Sequence, residues 1–422
     1  MRILVIGSGG REHAICAAFA RSSGVSKIFC APGNAGIAQI AECVPIKPEG
    51  IYELANFATL EKIDISFVGG ETALALGIVD EFEKRGMKII GASRDAARLE
   101  ASKSFAKDFM LRHGILTANY RTANSPEEAI KILEAGHFGE ANAPVVVKAD
   151  GLAAGKGVVV AADRAEAVEA CGELAALVGA DAAATIVLEE FLDGTEVSLL
   201  MFADGIDFAL MPPVRDHKRI GEGNIGPNTG GMGTITDSGL LTSAQSQQII
   251  KEIIEPTLAG CIDEGFRFRG ILFLGLMMTD GGPKLLEYNV RFGDPETQAI
   301  LVRLESDLLE ICNAMLDGKL ATTEIEWQEG NSACVVLAAE GYPQSPRTGD
   351  AIQGLDAAAA IENVTIFHAG TKSRNGNFVS AGGRVLGITS TGETFGDALR
   401  TAYSAVKQIS WPGMQYRRDI GR

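Results

Sequence analysis

A chain of 422 residues is too long for one ordinary hydrophobic core, and about two to four domains are expected. Its 46% hydrophobic content fits packed globular domains, while a formal net charge of -16 argues against a nucleic-acid groove and against an anionic membrane surface. The seven cysteines have no paired metal-type spacing, no signal-peptide pattern opens the chain and no apolar run reaches membrane-spanning length, so a reducing, cytoplasmic setting is expected.

The first hundred residues alternate apolar strand patterns at 3–6, 27–30, 63–68 and 88–90 with helical patterns at 11–21, 52–62 and 74–85. That alternation predicts a doubly wound parallel sheet. Between the first strand and helix lies Gly7-Ser8-Gly9-Gly10-Arg11-Glu12, which has the outline of a dinucleotide fingerprint. Glu12 replaces its third glycine, and Cys30-Ala31-Pro32-Gly33-Asn34 ends the second strand where an acidic ribose ligand is required, so NAD binding is not expected. Two uses of the turn remain open: a phosphate or ribose contact at the helix N-terminus, or a tight structural bend.

A helix over 102–113 and a connector lead to a small Ala- and Val-rich unit, with strands at 145–149, 157–162 and 186–190 and a helix at 164–178. Within it, Lys148-Ala149-Asp150-Gly151-Leu152-Ala153-Ala154-Gly155-Lys156-Gly157 has the wrong glycine spacing for a Walker loop and runs into Val158-Val159-Val160, a strand rather than a helix. It reads as a strand-loop-strand lid whose glycines let backbone amides approach a triphosphate while Lys148 and Lys156 supply charge. Further on come a hairpin over 196–211 turning at Asp204-Gly205, a polar loop over 215–233, a helix over 243–264, strands at 271–279 and 284–291, and a helix over 296–316. The last ninety or so residues read as a separate α+β cap.

The strand pattern Leu285-Leu286-Glu287-Tyr288-Asn289-Val290-Arg291 carries the sharpest chemistry. With side chains alternating, Glu287, Asn289 and Arg291 share one face and Leu286, Tyr288 and Val290 the other. A carboxylate and an amide oxygen suit Mg²⁺, which takes the rest of its shell from water and substrate phosphates. The adjacent guanidinium suits a phosphate or carboxylate.

Taken in order, Lys103, the Lys148 lid, Glu189-Glu190-Phe191-Leu192, Glu196 and the Glu287/Asn289 pair resemble the ATP-grasp superfamily. The segments GSGGREH (7–13), PGNAG (32–36), KADGLAAGKG (148–157), DHKR (216–219), GPNTGGMG (226–233), RFGDPETQ (291–298) and HAGTK (368–372) further resemble the glycinamide ribonucleotide synthetase family, across the whole chain. The resemblance implies an N-terminal Rossmann-like domain (1–101), a central ATP-grasp domain (102–122 and 193–325), a lid subdomain (123–192) and a C-terminal domain (326–422). It also implies ligation of glycine to 5-phosphoribosylamine through glycyl phosphate, driven by ATP with Mg²⁺, or alternatively Mn²⁺, by a monomer or weak dimer acting in purine synthesis with no nucleic-acid or membrane partner.

The same resemblance assigns roles. Glu287 and Asn289 would hold the metal. Lys103 and Lys148 would reach phosphate oxygens or the adenine edge, and Gly151, Gly155, Lys156 and Gly157 would surround the nucleotide phosphates, with Glu189 beside them; backbone groups of Glu190, Phe191 and Leu192 would read adenine and Glu196 the ribose. Arg291 and Lys148 would steady the transferring phosphoryl group, and Asp294 would receive the glycine ammonium. Gly9, Gly10, Asn34, Glu71, Asp216, His217, Lys218, Arg219, Asn228, Thr229 and Gly230 are candidates for the acceptor pocket, and Lys372 and Arg384 for the ribose phosphate, with surface or structural roles as the alternative. The chain departs from the family at Gly70, Ala73 and Asn224, which touches the acceptor pocket rather than the metal or ATP groups. The rival function is an ATP-grasp ligase acting on a different carboxylate.

Overall fold

The computed structural model describes residues 1–152 and 157–422. Five parallel strands open it, in the order Glu42–Cys43, Lys27–Pro32, Arg2–Gly7, Ile65–Val68, Ile89–Ile90. The expected doubly wound sheet is therefore present. The helical pattern at 74–85 is two helices, Glu71–Ala75 and Ile78–Lys84, because Gly77 between them takes a left-handed φ of 86°. Ahead of the first helix, the Glu12 carboxylate accepts from the Gly9 N–H at 2.5 Å, and a Cβ on Gly69 would lie 2.1 Å from that carboxylate. The missing third glycine thus supports a bend sealed by the chain's own acid.

A second, antiparallel sheet forms the body of the molecule, in the order Gly282–Asn289, Arg269–Thr279, Thr195–Asp204, Val214–Asp216, Gly233–Thr236, Asn331–Ala338, Arg384–Gly392, Val364–His368. Three of the C-terminal strands, Asn331–Ala338, Val364–His368 and Arg384–Gly392, consequently continue the central sheet, since Gly233–Thr236 pairs with Asn331–Ala338, while Thr371–Arg374 and Asn377–Ser380 form a separate two-stranded sheet. Strand patterns reveal strands but not their partners, and here the backbone groups of a fully buried strand are satisfied across the expected boundary. The pattern at 296–316 is likewise two helices, Glu296–Leu301 and Leu308–Asp317, the second capped by Asp307, whose side chain accepts from Leu309 N–H. The parallel sheet docks onto this body through aromatic packing: Phe67 stacks on Phe292, ring centroids 5.9 Å apart.

Above the body sits a four-stranded antiparallel sheet, ordered Tyr120–Ala123, Ile186–Glu190, Val145–Ala149, Val158–Ala161. Helices Pro126–Glu134 and Arg164–Val178 pack on it around a core of small Ala, Val and Leu side chains. The connector expected after residue 113 contains a strand at Tyr120–Ala123 and a helix at Pro126–Glu134. The base of this sheet is pinned to the body where the Asp150 carboxylate accepts from Ser104 N–H at 2.6 Å, at the start of helix Lys103–Arg112.

Candidate active site

A cavity of about 760 Å³ lies between the small sheet and the body, floored by strand Gly282–Asn289. One correction concerns that floor. The register against Arg269–Thr279 shifts between Gly275 and Leu276, so Gly275 faces Glu287 and Leu276 faces Leu285. The bulge turns Leu286 and Glu287 toward the same cavity, whereas simple alternation puts Leu286 on the opposite face. Leu286 there joins Ala118, Leu192 and Met277 in an apolar cluster. Beyond the bulge alternation resumes, with Tyr288 and Val290 in the core, Tyr288 also reaching the cavity wall, and Asn289 and Arg291 at the cavity.

Charges crowd the cavity, and most are paired. Lys148 lies 2.7 Å from Glu189, which also meets Lys107 at 2.9 Å, so the Glu189 side chain is spent on two buried lysines. Lys103 donates to the Gly151 carbonyl at 3.3 Å, and burial lowers the pKa of its ammonium. Glu190 is engaged by Asn119 and Lys284, while Phe191 stands exposed beside Leu192. Glu196 pairs with Lys218 at 3.2 Å, which raises the lysine pKa against the opposing effect of burial. Arg291 holds Glu100 at 2.7 Å, Glu71 at 3.2 Å and the Asn289 amide oxygen at 3.2 Å. Burial acts to raise the Glu71 carboxyl, yet Arg291 and Arg11 hold it down at about 2.

Like Asp216 and Glu296, Glu287 has no ion pair among the described residues, and its carboxylate makes no hydrogen bond there either. Burial alone would push its carboxyl up, but the fields of Lys218, Lys148, Lys103 and Arg291 keep it below the ordinary range. A lone ionised carboxylate beside an amide oxygen fits a hard divalent cation that completes its shell with phosphate and water.

At the opposite end, Asp294 is reached by Gln298 at 2.8 Å, Arg384 at 3.5 Å and the Arg11 backbone N–H at 3.5 Å. Burial raises its carboxyl, but Arg384 and Arg11 outweigh this and lower it. Half-buried Asp216 and buried Glu296 line this end; burial, then repulsion by Glu296, raises Asp216, and burial raises Glu296. Arg219, Asn228, Thr229 and Gly230 line the same end, and Arg384 donates to the carbonyls of Gly230 and Asp294. His217 spends both ring nitrogens on backbone, with Nδ1 3.0 Å from the Gly233 carbonyl and Nε2 accepting from Gly421 N–H at 3.0 Å; its ring braces the loop rather than offering a free polar atom.

Several sequence candidates fall elsewhere. Gly9 lines a separate hollow of about 210 Å³ that Glu71 and Asp294 share, whereas Gly10 packs against Gln298. The Asn34 amide is consumed by Ser8 and His368 carbonyls and by the Gly36 and Ile37 N–H groups. Lys372 is exposed on the Thr371–Arg374 strand, outside the lining of either cavity among the described residues. Gly151 abuts Ala182, Gly157 lines the cavity, and Gly155 and Lys156 lie outside the described residues. Conversely, Arg11, Glu100, Lys107 and Glu296 line the cavity without having been singled out. Lys107 was within reach, since it follows Lys103 by one helical turn; the others depend on long-range packing.

The fold and this cavity define an ATP-grasp ligase, a class that uses ATP and a divalent metal. The chain belongs to the phosphoribosylglycinamide synthetase family, whose N-domain, ATP-grasp (A) domain and C-domain models match residues 1–100, 101–297 and 332–422. It is 46% identical to phosphoribosylamine–glycine ligase of Xanthomonas axonopodis pv. citri, covering 100% of this chain and 97% of that one. The crystal structure of phosphoribosylamine–glycine ligase from Thermotoga maritima superposes with a TM-score of 0.85 at 36% identity, covering all of both chains. Biotin carboxylase from Campylobacter jejuni, at 17% identity and a TM-score of 0.73 over 98% of this chain and 92% of that one, shares the fold.

Proposed function

We propose that this chain joins glycine to 5-phosphoribosylamine with cleavage of ATP to ADP and phosphate, forming glycinamide ribonucleotide for purine synthesis. The observation that carries the reading is the unpartnered Glu287 carboxylate, set beside Asn289 in a cavity that also holds Lys103, Lys148 and Arg291. A glycine carboxylate has oxide as its leaving group and needs activation, so phosphoryl transfer to give glycyl phosphate precedes attack by the amine. Such transfer is catalysed mainly by positioning and charge neutralisation. Glu287 and Asn289 would hold Mg²⁺, with Mn²⁺ as substitute, and the bound cation would neutralise phosphate charge.

Lys103 and Lys148 bind phosphate oxygens, while the apolar cluster of Ala118, Leu192, Met277 and Leu286 gives adenine a face to lie against and Glu196 takes the ribose. Arg291, fixed by Glu71 and Glu100, orients the carboxylate and phosphoryl group. Asp294 seats the glycine ammonium, and the 216–230 loop with Arg384 receives the sugar phosphate. Segment 123–192 excludes water from the acyl phosphate. Domain limits at 1–101, 102–122 with 193–325, and 326–422 accompany this reading, as do a cytoplasmic setting and a monomer or weak dimer.

The test uses ATP, Mg²⁺ and glycine with freshly generated phosphoribosylamine. ADP release should be fast and depend on both substrates, and hydroxylamine in place of the amine should yield glycine hydroxamate slowly. Alanine should be poorer by about 10 to 200-fold, the range one methyl group allows. ADP formation independent of glycine, or preference for another amino acid, would move the assignment to a ligase of a different carboxylate.

A further inference from the structure

Lys107 takes no part in the chemistry proposed above, yet it is 2% exposed at the back of the cavity, and its surroundings are built around it. An ammonium group has three donors and no acceptor. One is directed to Glu189 Oε2 at 2.9 Å and another to Thr117 Oγ1 at 2.7 Å, whose hydroxyl in turn donates to the Leu285 carbonyl at 2.6 Å. The other oxygen of Glu189 faces Lys148 Nζ at 2.7 Å, and that ammonium also lies 3.5 Å from the Leu286 carbonyl. The contacts therefore close a ring through helix Lys103–Arg112, two strands of the small sheet and both carbonyls of the bulge that presents Leu286 and Glu287.

The charge count of this ring has a consequence for the cavity. Two ammonium groups share one carboxylate, leaving a net charge of about +1, and the lysine read above as a phosphate contact is Lys148. Were Lys107 neutral, Glu189 would belong to Lys148 alone. With Lys148 and Glu189 both buried, a carboxylate 2.7 Å away would then cancel most of the attraction that Lys148 offers a phosphate.

We propose that Lys107 is a positioning residue that divides the charge of Glu189, so that Lys148 keeps a net positive field for the phosphates of ATP. The inference rests on the reading of Lys148 as a phosphate contact. It assigns Lys107 no contact with any substrate. Its action is electrostatic and passes through Glu189.

Calorimetric titration with Mg-ADP of the full chain and four variants tests it, with circular dichroism confirming the fold. Lys107→Met should weaken binding about tenfold, equivalent to 1.4 kcal/mol, while leaving KM for glycine within about twofold. The double variant Lys107→Met/Glu189→Gln restores the net charge of about +1 and should recover at least part of the loss. A purely structural role for Lys107 predicts that the second lesion adds to the first. Unchanged binding in Lys107→Met, or a double variant as weak as the single one or weaker, overturns the proposal. If Lys107→Met does not fold, Glu189→Gln decides: it should bind Mg-ADP at least as tightly as the parent, and weaker binding overturns the idea. Lys148→Met separates the two readings. Normal binding there removes the phosphate role of Lys148 and the Lys107 proposal with it, whereas weak binding there beside normal binding in Lys107→Met removes only the latter.

Discussion

Glu100→Ala should destabilise the protein by about 4 kcal/mol. Glu100 is buried, with Oε1 2.7 Å from Arg291 Nη2 and Oε2 accepting from Val290 N–H at 2.8 Å. Removing one member of a buried ion pair costs about 3 to 5 kcal/mol, and a buried N–H left without an acceptor adds about 1 to 3. Glu71 remains on the other edge of the Arg291 guanidinium and the cavity admits water, so the total belongs near the low end of that range. Burial also raises the Glu100 carboxyl above its ordinary pKa, which means that desolvation already offsets part of the pair's worth. Glu100→Gln, which keeps an acceptor and loses the charge, should therefore cost only about 1 to 2 kcal/mol. Glu71→Ala should be milder than Glu100→Ala, because the Glu71 side chain is 28% exposed against 7% for Glu100. Urea unfolding followed by tryptophan fluorescence and circular dichroism measures all three. A Glu100→Ala variant within about 1 kcal/mol of the parent, or a reversed order of the two alanine variants, would refute the reasoning.

Glu287→Ala should lower turnover by about a hundredfold or more, since loss of a cation ligand removes part of a term worth several kcal/mol in the transition state. Its melting temperature should hardly move, because no hydrogen bond is lost, and near-normal rates at limiting Mg²⁺ would sink the assignment. His217, pushed down from 6.5 to about 4 by burial, stays neutral in the fold while the unfolded chain takes up a proton below 6.5. Stability should therefore fall as pH drops from 6.5 toward 4, by about 1 to 2 kcal/mol at pH 5 from this residue. His217→Gln should flatten that part of the curve, and an unaltered slope would remove His217 from the account. Arg417 is buried, forked onto Asp419 by two 2.8 Å bonds and bonded to the Arg219 carbonyl and the Asn224 amide oxygen. Arg417→Lys loses the fork; a cost of about 2 to 3 kcal/mol and a raised KM for phosphoribosylamine with KM for ATP unchanged are expected, from urea titration and initial rates.

The strand period was enough to bring Glu287, Asn289 and Arg291 to one surface, because a side chain's face depends only on local backbone geometry. The same rule misplaced Leu286, since a bulge is decided between two strands. Its one local trace was a glycine, Gly275, inside an otherwise apolar strand. Other misses were legible. Ser125-Pro126-Glu127-Glu128 has the cap, first-turn proline and acids of a helix start, and Gly77 and Asp307 mark the two helix breaks. The union of the C-terminal strands with the central sheet had no local sign, because strand partners are chosen by tertiary packing.

Charge pairing lies furthest from sequence and closest to function. Within a chain of net charge -16, Arg11, Lys103, Lys107, Lys148, Lys218, Arg291 and Arg384 converge on one cavity. The sequence names the acids that could answer them but not which acid meets which base. Three-dimensional pairing spends Glu71 and Glu100 on Arg291, Glu189 on two lysines and Glu196 on Lys218. Glu287, left unpaired, has four cations around it and a bulge that aims it into the cavity. An acid kept ionised by distant charges but bonded to none of them is available to a cation arriving with its own phosphates. The paired acids meanwhile hold Lys148, Lys218 and Arg291 in place without any substrate. On the proposed reading, these lysines and Arg291 are preorganised for polyanion binding, and Glu287 is kept free for the cation that accompanies the phosphates.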